Sequence, residues 1–317
     1  MSSEATGYTI LDRYRSIASK LKKRFLRKPN EAEAAEGFIS LGHHCESEEL
    51  PQYAAMSWLA AARCEGSLSH PVSETSLLVR AGRQFLKAGN DDLDIGCISV
   101  SSESLQVLIE SLIYRVLAGL ACHNHASSRY PEDSLLALGL NLEIIEYLKR
   151  IECTESLEVY LNNALELSKG TAGAHLHCLD LLASYYISTG ECVSGVHTYQ
   201  KIASILQNSY LNGHTCELLL KCEVNSVFLL LILRPSPHNI SADFAKILEK
   251  YTWGDQNDET LQACRMTERL FILLQSLVTS CQSRSTTNLV EIEADFWPYL
   301  STEQKDLLRI LVKTYYY

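Results

Sequence analysis

The sequence predicts an all-α protein: TPR-like helical-hairpin repeats forming an α-solenoid, with a less regular helical C-terminal part. Three observations predict it. Apolar residues recur at steps of three and four along nearly the whole chain, the period of a helix with one buried face. Only 7 Pro and 15 Gly interrupt 317 residues, too few for the many turns of an all-β domain. A spaced set of small and large residues, starting at Phe38, returns further along the chain. On this reading residues 1–29 form a basic amphipathic helix and residues 30–209 the repeats. Residues 210–317 form a helical region packed on the solenoid.

Residues 1–8 carry no apolar pattern and are expected as a loose tail. Leu11, Tyr14, Ile17, Leu21 and Phe25 then lie at helical steps, with cations around the rest of the helix. Residues 1–28 hold eight Lys and Arg against two acids, a net +6, while the whole chain carries −10. A basic head therefore precedes an acidic body. Arg13, Arg15, Lys20, Lys22, Lys23, Arg24, Arg27 and Lys28 are the candidate partner-binding residues. Pro29 disfavours helix at Lys28, and Asn30 with Glu33 has the spacing of a capping box for the next helix. The cations admit three readings. They are solvated on an end helix that covers the first repeat, or they meet an acidic partner surface. Nucleic acid or anionic membrane fits less well, because the acidic body repels phosphate.

Residues 31–65 give the clearest repeat: Phe38, Leu41, Gly42 and Cys45 on a first helix, then Ala54, Trp58 and Ala61 on a second. Gly42 and Ala54 are small so that the two helices approach closely, and Trp58 fills the space beside them. Glu48–Pro51 supplies the turn. A second unit begins at Ser73 with Leu78, Ala81, Gly82, Phe85 and Gly89. An irregular loop over Asn90–Ser102 delays its partner helix to about 103–121, and residues 122–132 read as a connection. Helices near 133–149 and 155–169 make a third hairpin, with Leu157, Leu161 and Ala164 in the second-helix positions. The fourth joins Leu179, Leu182, Ala183, Tyr186 and Gly190 to Gly195, Tyr199 and Ile202. The repeat length of about 34 residues is kept only loosely, so the units are TPR-like and not strict. Beyond them come an apolar helix over 215–233 stopped by Arg234-Pro235, helices near 241–251, 260–281 and 287–296, and a last helix capped by Ser301 and Gln304.

No hydrophobic signal region precedes the basic segment. The longest apolar run, Val227–Leu233, is far short of the roughly 20 residues of a membrane span. The expectation is a cytoplasmic protein with no membrane span. Eleven cysteines without a Cys-x-x-Cys read as reduced thiols serving as small core residues. The candidate metal ligands are His43-His44-Cys45, Cys122-His123-Asn124-His125 and His175-Leu176-His177-Cys178. Helix neighbours one and two apart point to different faces, and zinc needs four convergent ligands, so core or solvated roles are expected. Of the three sets, Cys122, His123 and His125 are best placed, in a connection. No phosphate-binding glycine loop, Ser/His/Asp motif or paired-carboxylate motif stands at a recognisable spacing. No cofactor and no enzymatic activity are expected. The best-organised residues are packing residues, and helical repeats build binding surfaces.

Leu11-Asp12-Arg13-Tyr14-Arg15, followed by Ser19-Lys20-Leu21-Lys22-Lys23-Arg24-Phe25-Leu26-Arg27-Lys28-Pro29-Asn30, resembles the N-terminal signature of the family of forty-kilodalton huntingtin-associated proteins. The resemblance continues through Tyr53-Ala54-Ala55 and Ala61-Ala62-Arg63-Cys64. It returns at Lys221-Cys222-Glu223-Val224, Leu248-Glu249-Lys250-Tyr251-Thr252-Trp253 and Trp297-Pro298. It implies huntingtin, a large helical-repeat protein, as partner, with the smaller chain clasped between its repeat domains and stabilising its compact conformation. It also implies an association with early endosomes through a Rab GTPase, and a nuclear presence. Mammalian members carry a proline-rich insertion before the Lys221 match, where Asn208–His214 is short here. The competing class is an independent TPR-type adaptor that takes short peptide motifs in its groove. Val224–Leu233 and Leu270–Val278 are more apolar than one-sided packing requires, so the chain is expected to depend on its partner for stability.

Overall fold

The computed structural model describes residues 2–22, 30–95, 116–130, 134–207, 212–234, 242–254, 259–283 and 285–316. Its regular elements are all α-helices. The first four are α1 Ser2–Lys20, α2 Glu31–Ser47, α3 Pro51–Ser67 and α4 Pro71–Ile95. Residues 116–128 are helical and are termed α5. Then come α6 Leu135–Arg150, α7 Leu157–Leu167, α8 Ala172–Thr189, α9 Cys192–Gln207 and α10 Gly213–Leu233. The last are α11 Ala242–Thr252, α12 Glu259–Ala263, α13 Glu268–Ser283, α14 Thr286–Phe296 and α15 Thr302–Tyr316.

The helices gather into two compact units, Met1–Gly170 and Thr171–Tyr317. In the first, α1 packs on α2, α2 on α3, α3 on α4, and α6 on α7. A Cβ on Gly42 would stand 2.7 Å from Cε2 of Trp58, so only glycine lets α2 lie this close to the indole. The next pair repeats the device. A Cβ on Gly82 of α4 would meet the His123 ring at 2.3 Å, and one on Gly119 of α5 would meet Leu86 at 2.7 Å. Gly119, His123 and Ala126 thus repeat the spacing of Ala54, Trp58 and Ala61, sixty-five positions on, with an imidazole in place of the indole. Phe38, Leu41, Ala54, Trp58, Ala61, His123 and Ala126 are all buried.

The second unit is built around α10, which packs against α9, α11, α13 and α15. Val224–Leu231 is buried throughout. A Cβ on Gly195 of α9 would stand 3.2 Å from Cδ1 of Leu229 of α10, and Tyr199 is fully buried, its hydroxyl accepting from Asn225 Nδ2 at 2.8 Å. Leu179 is buried and Tyr186 half-buried. Lys221 joins three helices: its ammonium lies 2.7 Å from Asp180 of α8 and 3.1 Å from Glu303 of α15. The high apolarity of α10 is therefore met within the chain, and it no longer argues for a covering partner.

Five helix ends share one geometry. Glu49, Ser69, Glu152, Gly190 and Arg265 take positive φ between 53° and 80°. The next amide in each case reaches back five residues, as Leu50 does to Cys45 at 2.9 Å and Glu191 to Tyr186 at 2.8 Å. These are left-handed C-terminal caps that satisfy orphan carbonyls, and four of the five use a residue other than glycine.

Several elements differ from expectation. Residues 1–8 are not a loose tail from Ser2 onward, because α1 begins there. The basic helix does not run on unbroken to Lys28; α1 ends at Lys20, and residues 23–29 lie outside the described residues. Its buried stripe starts at Ile10 and not at Leu11, which is half-exposed. The expected loop from Asn90 is helical to Ile95, because Gly89 is buried in helical backbone and does not take the left-handed turn that stops a helix. Residues 122–128 are helix and not connection: the polar run is spread around α5, with His123 inward and Asn124 donating to the Tyr160 hydroxyl at 3.0 Å. The single helix expected over 260–281 is two, broken at Arg265, with Thr267 Oγ1 accepting from the Leu270 amide to start α13.

Candidate interaction surfaces

The head builds from α1. Ile10, Tyr14, Ile17 and Leu21 face α2 and α3, where Tyr14 and Phe38 rings lie 5.0 Å apart and Ile17 sits over Gly37. Burial pushes the Tyr14 hydroxyl above its usual pKa, against the opposing charge of Arg63. Beside this stripe Tyr14, Ala18, Leu21, Phe38 and Cys64 line a hollow of about 250 Å³ rimmed by Glu31 and Arg63. α1 is thereby packed on the first hairpin, and Asp12, Arg13, Arg15, Ser16 and Lys20 are exposed on its other side.

Four of the eight candidate cations fall on described residues: Arg13, Arg15, Lys20 and Lys22 are all exposed. Two of them have partners among the described residues. Arg15 pairs with Asp12 at 3.5 Å, and Lys20 donates to Glu33 Oε1 at 2.7 Å. The Lys20 hydrogen bond and charge hold the Glu33 carboxyl below its usual range. Glu33 also takes the Asn30 side-chain amide at 2.8 Å, while Asn30 Oδ1 accepts the Glu33 amide at 3.2 Å, so Asn30 caps α2 as its spacing predicts. Lys20 therefore ties α1 to the start of α2 and is partly spent on the fold. Lys23, Arg24, Arg27 and Lys28 lie outside the described residues.

Glu46, unremarked in the sequence, is the polar centre of the first unit. Its Oε1 accepts from Trp58 Nε1 at 2.9 Å, Arg80 Nε at 3.0 Å and Gln84 Nε2 at 3.0 Å, and Arg80 Nη2 donates to its other oxygen. The Arg80 guanidinium lies 4.1 Å from the Trp58 ring centroid, and His43 meets that ring edge-on at 4.8 Å. One carboxylate thus joins α2, α3 and α4. Burial raises its pKa, but the hydrogen bonds from Arg80 and Trp58 and the Arg80 charge outweigh burial and hold it below the usual range. The signal available in the sequence was the indole itself, since a buried Trp N–H needs an acceptor.

The candidate metal sets disperse. His43 packs on Trp58 while Cys45 is core. His123 donates from Nδ1 to the Gly119 carbonyl at 3.0 Å and holds Nε2 3.5 Å from Glu143, whereas His125 is exposed toward Glu74 at 3.8 Å. Cys178 is buried and His177 exposed. Among the described residues no group of three His, Cys, Asp or Glu converges to hold a metal. Burial pushes the Cys122, Cys264 and Cys281 thiols up to about 11, which keeps them protonated and unreactive. In the second unit, α9, α10, α11 and α12 enclose a cleft of about 820 Å³, lined among others by Tyr199, Gln207, Glu223, Lys246 and Lys250. Among the described residues no helix is long and apolar enough to cross a membrane.

No family model matches the chain. Two curated relatives do. The 40-kDa huntingtin-associated protein of Mus musculus is 30% identical over 360 residues, and that of Rattus norvegicus 29% over 369; each alignment spans 98% of this chain and 93% of the relative. The chain belongs to the 40-kDa huntingtin-associated protein family. Each match takes in nearly the whole chain, so it is not confined to one of the two units. Both alignments are longer than the 317 residues of this chain, so the rodent members of the family carry extra segments.

Proposed function

We propose that the chain is a non-enzymatic scaffold subunit that binds huntingtin and stabilises its compact conformation. The observation that carries this is the match to relatives named for huntingtin association across 98% of the chain. The physical design supports it. The best-organised side chains serve packing, and Ile10, Tyr14 and Ile17 seat α1 on the body with Arg13 on the helix and Lys22 just past its end exposed. An oriented cationic face steers and orients an acidic partner at little entropic cost. Arg13, Arg15, Lys20, Lys22, Lys23, Arg24, Arg27 and Lys28 make that contact, and the pairs α2–α3 and α8–α9 are TPR-like hairpins. Recruitment to early endosomes through a Rab GTPase extends the same reading and rests on the family resemblance alone.

The cleft of about 820 Å³ favours one other reading, an adaptor that takes short peptide motifs of several partners. Purifying the tagged full chain from cells separates the two. One stoichiometric huntingtin complex is expected; several short-motif ligands without huntingtin would establish the adaptor. Replacing Lys22, Lys23, Arg24, Arg27 and Lys28 by Gln is expected to weaken the huntingtin complex and flatten its salt dependence. Unchanged binding would remove the basic face from the interface.

A further inference from the structure

The turn between α14 and α15 holds two aromatic side chains out of the core. Phe296 and Leu300 bury its ends, Phe296 edge-on to Phe228 at 5.8 Å. Between them Trp297 and Tyr299 each keep 39% of their surface exposed. The backbone of the turn is fixed: the Tyr299 amide donates to the Phe296 carbonyl at 2.9 Å, and Ser301 and Gln304 cap α15 reciprocally at 3.1 and 3.3 Å. From there Lys305, Arg309 and Lys313 follow at steps of four, a line about 12 Å long on one side of a helix. Lys305 Nζ and Arg309 Cζ lie 5.0 and 4.8 Å from the centroid of the Trp297 ring. Ile310, beside Arg309, is 49% exposed.

Trp, Tyr and Arg are the residues that carry most of the energy in protein interfaces. Here they stand on a turn already rigid, so docking orders little that was free. We propose that Trp297, Tyr299, Lys305, Arg309, Ile310 and Lys313 form a second docking surface, which takes an acidic face of the partner protein. This rests on the reading that the chain binds huntingtin, and it adds a contact made by the second unit to that made by α1. Carboxylates of the partner meet Lys305, Arg309 and Lys313, while its apolar side chains cover the edges of Trp297 and Tyr299. A protein fits better than lipid or nucleic acid. Three cations fall short of the roughly 4–8 that mark an anionic-lipid site. Asp306, 3.1 Å from Arg309, offsets part of that charge and leaves still less for a phosphate-rich ligand.

The test uses the full chain and purified huntingtin. The variants are Lys305→Glu/Arg309→Glu/Lys313→Glu and, separately, Trp297→Ala/Tyr299→Ala, each checked for wild-type helicity and melting. Both are expected to weaken binding at least tenfold at 0.15 M salt, and the loss in the charge variant is expected to shrink at 0.5 M. Wild-type affinity of both variants overturns this surface while leaving the huntingtin reading intact. Absence of binding by the wild-type chain sinks both. If the charge variant instead loses binding to phosphatidylserine vesicles or duplex DNA and keeps huntingtin, the surface belongs to those ligands and the proposal is wrong.

Discussion

The indole N–H of Trp58 is donated to Glu46 Oε1 at 2.9 Å, in a side chain that is otherwise fully buried. Removing the acceptor leaves a buried donor unpaired, a loss of about 1–3 kcal/mol. It also releases Arg80 from Trp58. Glu46→Ala is expected to cost about 2–3 kcal/mol in denaturant unfolding. Glu46→Gln keeps an oxygen acceptor and should cost less. Equal losses in the two variants would show that charge and not the hydrogen bond is what matters here.

The same carboxylate predicts a pH dependence. Its folded-state pKa is held below the ordinary value of 4.5, so folding favours the ionised form. That contribution is fully present above the ordinary value and is lost as pH falls through the folded one. Stability should therefore drop below about pH 4.5, and Glu46→Gln should flatten part of that drop. Identical acid-unfolding curves for the two chains would contradict it.

Gly42 and Gly139 are both helical glycines with opposite surroundings. An added Cβ at Gly42 strikes the Trp58 indole, which Arg80 and His43 hold in place, whereas Gly139 has nothing within 4 Å. Gly42→Ala is expected to destabilise by about 1–3 kcal/mol through overpacking. Gly139→Ala should stabilise by about 0.5–1 kcal/mol through helix propensity. Melting temperatures that move in the same direction would refute the close crossing.

Glu49, Ser69 and Glu152 occupy left-handed backbone with exposed side chains. Left-handed backbone costs such residues about 1–2 kcal/mol, part of which glycine returns as unfolded-state entropy. Each change to Gly should raise stability by up to about 1 kcal/mol, whereas Gly190→Ala should lower it by a similar amount. Chemical denaturation of the four variants checks the signs.

Helix class and most helix positions were legible because apolar periodicity repeats over many turns. The crossing at Gly42 was legible because glycine, alanine and tryptophan stand at readable offsets on one pair of helices. The matching crossing at Gly82 was not. Its bulky member is His123, whose polarity reads as loop, and the buried fate of an imidazole depends on Gly119, Glu143 and Gly82 from three helices. Glu46 was hidden for a like reason, since Arg80 and Gln84 lie more than thirty residues away and meet it only once α4 is in place. On α1 the sequence reads charge sign and face, yet the Lys20–Glu33 pair removes one cation from that face, which composition alone does not reveal.

Lys221 lies between Asp180 of α8, the first helix of its unit, and Glu303 of α15, the last. An array whose ends are latched through one ammonium is not free to lengthen by stacking another hairpin, as an open-ended row of repeats is. Within this unit, size differences in the family then fall in the connections between helices. The surplus segments of the rodent relatives are expected there, entering as longer loops and leaving the number of helices around α10 unchanged.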